Sequence, residues 1–424
     1  GRRGAARGRR WRWRGSPADG TLPLAGPAWL ASLLCLLQLL PAPGFAGGLE
    51  CRPRARAGTA AGAAGAGGFR DGIGTARFQV PGGLAVGAGD ELFVADTGNS
   101  CVRRVQWEAG GKVPVVTTVV GAAGAGFADG AAFLAKLSAP RGLAYAPGDP
   151  AALFVADEAN GRVRRVALDG AHRAVTTVAG SSAPGHRDNA NPAQAQFDKP
   201  ADVAYDAAGG ADLYVADAGS HTIRRVRLVG SAGDGGGGEV STVAGAAYAP
   251  GSADGVGGAA RFQEPQGLTL DGPREVLYVA DTGNHLIRRV SLAEADYGNV
   301  TTLAGTGAEA QPGDPEDAPA VSTAFSFPQS VHVNGSWVYV ADSGANRVRR
   351  VPVGGGNVTG LAGGLNSAPG HLDGLGAGAL FNGPAGLASS GERLYVADGN
   401  SHVVRHLAVE DPVELVLSVK AAET

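Results

Sequence analysis

Histidines at matching places in repeated segments invite a chemical question first. Neutral imidazoles brought together from separate segments can hold a metal or move a proton. His221, His285 and His402 occupy one place in three copies of a motif, where Ser100, Gly161 and Asn346 stand in the others. The plain reading of such residues is a polar turn; the functional one is contact with a partner. His332 lies elsewhere in its repeat, where the other copies have Ala85, Ala144, Ala204, Thr269 and Ala388. One histidine there falls short of the three protein ligands that a catalytic zinc needs. Asp71, Asp129, Asp254 and Asp373 each precede glycine. One carboxylate per loop is too few for the oxygens of a calcium site, so these read as turn residues of little weight for stability. The chain has no nucleophile elbow, no HExxH and no CxxC. No cofactor, metal or catalytic residue is assigned.

The elements that carry these residues follow from the repeat. LYVADTGNHLIRRV (277–290) returns as LFVADTGNSCVRRV, LFVADEANGRVRRV, LYVADAGSHTIRRV, VYVADSGANRVRRV and LYVADGNSHVVRHL. The shared aspartates Asp96, Asp157, Asp217, Asp281, Asp342 and Asp398 are 61, 60, 64, 61 and 56 residues apart. A period this regular decides the architecture. Each unit holds four short apolar segments between Gly, Asn, Asp and Pro clusters. In blade four these are A (GLTL), B (LYVAD), C (LIRRV) and D (VTTLAG). Hairpin-linked antiparallel strands have this pattern, and no segment shows a helical period. The expected fold is all-β: a six-bladed β-propeller with four antiparallel strands per blade.

VADTGNHLIRRV resembles the NHL repeat, named for its Asn-His-Leu triplet, here Asn284, His285 and Leu286. The resemblance covers six units over residues 69–420, although one copy alone keeps the full triplet. The linker DGxGxxAxFxxPxGL at 71–84, seen again at 254–268, resembles those of bacterial, plant and algal NHL proteins. Some propellers of this kind are lyases that hold zinc with histidines around the central channel, and others bind RNA through a basic face. A metal-dependent lyase or hydrolase at the channel mouth is therefore the alternative to a non-catalytic module that binds a protein or glycan.

Charge opposes the RNA reading. Residues 69–424 hold 26 basic and 37 acidic side chains, a balance near −11, the wrong sign for a phosphate surface. The arginine pairs at 103–104, 164–165, 224–225, 288–289 and 349–350, with Arg405 and His406 in the last copy, alternate with core valines. They should point to opposite faces of each blade, where the six VAD aspartates can neutralise them. Phe78, Leu137, Phe197, Phe262, Phe325 and Phe381 stand three residues before prolines and should plug the gaps between blades.

The N-terminus reads as a targeting segment, 1–46: basic residues, the apolar run 29–40, then small residues suited to cleavage after Ala46. Secretion is expected, with an organelle (chloroplast) lumen as the alternative. Membrane anchoring would follow only if that run stays uncleaved. Residues 47–68 read as a Gly/Ala linker and 69–424 as the propeller, a monomer. Methionine is absent even at position 1, which suggests part of a longer chain. Cys101 occupies a variable position and is expected near the surface; a bridge to Cys51 stays open.

Propeller strand order puts the B–C hairpins and long D–A linkers on one face. The candidate partner contacts are Asn99, His221, Asn284, His285, Asn346 and His402 on the hairpins, with His332 in the channel. The sequons at Asn299, Asn334 and Asn357 fall on the opposite face as candidate glycosylation sites. VELVLSV (413–419) is expected to form strand D of the last blade, so that every blade is built from consecutive residues.

Overall fold

The computed structural model describes residues 55–409 apart from 108–112, 122–123, 149–150, 170–172, 208–210, 230–235, 312–317 and 365–366. Six antiparallel sheets form a six-bladed propeller, and the innermost strand of each touches those of its two neighbours. Blade four shows the unit: A Pro265–Asp271, B Val276–Asp281, C Leu286–Ser291 and D Asn299–Ala304. All six A strands begin at the prolines noted above, where no ladder N–H is needed. Two residues on, a Cβ at Gly83 or Gly386 would collide with the neighbouring blade's backbone, so glycine lets the inner strands close around the axis. Apart from strands, the ordered elements among the described residues are three-residue 3-10 turns.

Five sheets carry a fifth strand of two residues, contributed by the linker that enters the blade, such as Gly255–Val256 on strand D of blade four. In blade three an isolated bridge between Asn189 and Val240 takes its place. The linkers thus leave the loop face, descend the outer edge of a blade and return to start its inner strand.

Closure differs from the expectation. Ala55–Gly62 is a strand, paired with Val403–Val409 on one side and Gly374–Leu375 on the other. The ring is therefore closed by the N-terminal part of the chain, and the linker reading of 47–68 fails for residues 55–62. The place expected for 413–419 is filled by this closing strand; those residues lie outside the described ones. Ala55, Ala57 and Ala61 are buried there against blades five, six and one.

The core lies between blades. Phe154 of blade two, for instance, packs with Leu213 and Val215 of blade three. The residues read as plugs, from Phe78 to Phe381, are each 0% exposed. Burying a side chain of that size stabilises by about 1.5–3 kcal/mol.

Candidate functional site

Each blade buries one ion pair at its upper edge. The first arginine of each pair is buried, and its Nη1 lies 2.7–3.3 Å from the VAD aspartate of its own blade. The second arginine goes elsewhere: Arg104 toward Glu91, Arg225 to Asp212, Arg350 over Trp337, while Arg289 is exposed. In five blades the plug phenylalanine roofs the buried guanidinium at 4.8–5.3 Å. A second carboxylate, from the entering linker, completes the site. Asp71, Asp129, Asp188, Asp254 and Asp373 reach Nη2 at 2.5–2.7 Å. They also accept from the backbone N–H of a strand D threonine: Thr118, Thr177, Thr242, Thr302 or Thr59. These aspartates are therefore more than turn residues, because each clamps its linker to its blade. In the fifth blade the corresponding Asp317 lies outside the described residues.

The hairpin residues turn out to be clasps between blades. His221, His285 and His402 sit at positive φ, 57–62°, and end the 3-10 turns. Their Nδ1 atoms accept the backbone N–H of Glu264, Phe327 and Val80 in the next blade, each at 3.1 Å. Ser100 Oγ and Asn346 Oδ1 do the same for Ala139 and Gly383. These recipients have positive φ as well, so the side chain from the neighbouring blade steadies a strained backbone and its N–H. Asn99 and Asn284 look inward: their Nδ2 atoms donate to Asp96 and Asp281, and to the Gly68 and Gly251 carbonyls. The hairpin positions thus carry structural work that the sequence reading had not assigned, since their partners lie in another blade. Burial lowers the His285 imidazole, which also packs edge-on against Phe327 at 4.5 Å.

The channel holds a polar set that spacing did not reveal. At the loop-face end Arg141 of blade two crosses to the Oε1 atoms of Gln266 and Gln329, and stands 3.7 Å from Glu158. Asp202 fills the place that is glycine in four blades, and accepts the N–H groups of Val203 and Leu268 at 2.9 Å. Burial raises its carboxyl to about 7. His332 lies toward the other end, with Nε2 2.7 Å from Ser389 Oγ of blade six. Among the described residues no three His, Cys, Asp or Glu side chains form a group able to hold a metal.

Burial pushes the His332 imidazole down from 6.5 to about 4. Between those values the unfolded chain binds the proton and the native one does not. Its contribution is therefore complete above pH 6.5 and lost as pH falls through about 4. The full loss is on the order of 3 kcal/mol. His332→Gln should flatten the acid limb of stability over this range, read from urea midpoints. An unchanged limb would remove His332 as its cause.

Cys101 departs from the expectation of a surface position: it is 0% exposed, its thiol is pushed up by burial, and its Sγ lies 3.9 Å from Asp96 Oδ2. Cys51 lies outside the described residues. Asn299 and Asn357 open strands D of blades four and five, and Asn334 ends strand A of blade five, all on the A–B and C–D face.

The model of the NHL repeat matches residues 78–105 and 262–289. NHL repeat-containing protein 2 of Bos taurus is 30% identical over 304 residues, 66% of this chain and 40% of that protein. Protein SUPPRESSOR OF QUENCHING 1, chloroplastic, of Arabidopsis thaliana is 26% identical over 371 residues, 83% of this chain and 32% of that one. The chain thus spans well under half the length of these curated relatives. Among solved structures, an auxiliary nutrient binding protein from Bacteroides thetaiotaomicron VPI-5482 superposes with a TM-score of 0.59 at 14% identity. That superposition covers 85% of this chain and 78% of the other, and it speaks for the fold alone. With its motif in every blade and the ring that the motif builds, the chain belongs to the NHL-repeat family.

Proposed function

We propose that the propeller is a non-catalytic interaction module that engages a protein partner through its loop face and the rim onto which the D–A linkers run. One observation carries this. Of the fourteen large apolar residues exposed among the described ones, all but Val113 and Tyr297 lie on the D–A linkers. They include Phe133 and Leu134 at 61%, Val256 at 59% and Val321 at 79%. The blade frame is pinned by ion pairs and clasps while these linkers vary from copy to copy. Binding residues concentrate on loops held by such a frame, and exposed apolar groups there favour a protein surface. The acidic balance of 69–424 argues against nucleic acid.

Export is part of the proposal. The basic, apolar and small-residue pattern of 1–46 supports it, and cleavage after Ala46 leaves the closing strand whole. The test is affinity capture with the exported chain, whose mature sequence is expected to start at Gly47. A chain with Phe133, Leu134, Val256 and Val321 changed to serine should bind the captured partner at least about tenfold more weakly. Its melting temperature should match that of the parent. Bulk added at Asn334, in the A–B turn of blade five and away from the linkers, should leave binding alone. Binding that tolerates the four serines and fails with the Asn334 change would place the interface at the A–B turns instead.

A further inference from the structure

Every blade repeats one pattern, so positions that depart from it stand out. Trp107 stands two residues beyond the RRV of strand C, where the other blades have Leu168, Leu228, Leu292, Val353 and Val409. Trp337 opens strand B, in the place of Glu91, Ala152, Asp212, Val276 and Arg393. Both tryptophans of the described residues line one cleft of about 1230 Å³ on the A–B and C–D face, under blades five, six and one. His332, the odd residue of its own position, bonds to Ser389 in the wall of the same cleft.

The cleft is built as well as lined. Trp107 stacks on Tyr395 across the blade boundary at 5.5 Å, and Arg350 lies over Trp337 at 3.9 Å. Each indole is thus held by a neighbour and remains partly exposed to the cleft. Asn334 Nδ2 donates to the Gly391 carbonyl at 3.3 Å, and Ser390 bonds Asp90, which joins the A–B turns of blades five, six and one into an inner wall. Glu392, Arg393 and Asp90 add charged donors and acceptors beside the rings.

We propose that this cleft binds a short neutral oligosaccharide. A pyranose offers a C–H face that packs on an aromatic ring and a rim of hydroxyls that pair with carboxylates, amides and guanidinium. An apolar ligand would bury these charged groups without partners, and an anionic one would meet Asp90 and Glu392. The space accommodates several sugar rings. None of the linker residues of the proposed protein surface lines this cleft, and the site does not depend on that reading.

The full chain, produced in a bacterial cytoplasm so that Asn334 is bare, is titrated with maltotriose, cellotriose, chitotriose and xylotriose. Tryptophan fluorescence and saturation-transfer NMR report binding. At least one trisaccharide should give a saturable change below roughly 10 mM, and Trp107→Ala or Trp337→Ala should weaken it at least about tenfold. Trp337→Phe, which keeps a ring, should retain binding and the parent melting temperature, so a fold defect in the alanine variants is recognised. No saturable signal from any of the four sugars, or binding that survives replacement of both tryptophans, overturns the proposal.

Discussion

A chain that starts at Ala63 should fail to form a stable monomer. Its missing residues include Ala55–Gly62, which supply the outer ladder of blade six through seven residue pairs with Val403–Val409. They also bury Ala55, Ala57 and Ala61, and bring Thr59 to Asp373, the second carboxylate of the Arg405 site. Each lost backbone bond costs about 1 kcal/mol net, so the total approaches the 5–15 kcal/mol that holds a typical domain together. The uncovered edge of the neighbouring strand would then invite pairing with a second chain. Size-exclusion chromatography should show oligomers or aggregate. A chain starting at Gly47 keeps the strand and should elute and melt like the parent. A well-folded monomer from Ala63 onward would mean that another segment closes the ring.

That strand shows where the sequence was legible and where it was misread. The period, the A strands from their prolines, and the pairing of aspartate with arginine all arise from contacts inside one sixty-residue copy, which a repeat displays six times. Closure joins residues nearly 350 positions apart, and local propensity pointed the wrong way. ARAGTAAG is rich in Ala and Gly and reads as a linker, whereas VELVLSV has the β-branched residues of a strand. A signal was nevertheless present. Strands D end in TVVG, TVAG, TVAG, TLAG and GLAG, and Thr59–Gly62 reads TAAG. The threonine that receives the linker aspartate was thus already visible, and VELVLSV has no counterpart of it.

The hairpin histidines were misjudged for a related reason. Their chemistry looked free because no acceptor or donor for them exists within their own copy. The N–H groups they accept belong to the next blade, at a backbone conformation that no composition reveals. The two tryptophans of the cleft are the reverse case. Each looks like an ordinary apolar residue in its own repeat, and only the ring brings blades one and five to the two sides of blade six.

Asp281→Ala should lower stability by about 3–5 kcal/mol, the cost of leaving a buried charge without its partner. The carboxylate is 0% exposed and takes three donors: Arg288 Nη1 at 2.7 Å, Asn284 Nδ2 at 2.8 Å and the Gln263 N–H at 2.8 Å. Alanine leaves the Gln263 N–H without its acceptor and the buried Nη1 without its carboxylate; Asn284 keeps the Gly251 carbonyl, and the guanidinium keeps the linker carboxylate of Asp254 and two carbonyls. Asp254→Ala removes a partner of the same arginine but a half-exposed one, whose place water can take, so its cost should be nearer 1 kcal/mol. The sequence reading gave Asp254 no such part; the structure makes it the outer half of the site, and the loss should exceed that of a plain loop residue. Urea midpoints for the two variants decide the ranking. The decisive comparison adds Arg288→Met. Once the cation is gone, removing Asp281 no longer strands it, so the double variant should lose less than the two single losses combined. Additive losses would mean that the aspartate holds its hairpin and linker without help from the ion pair.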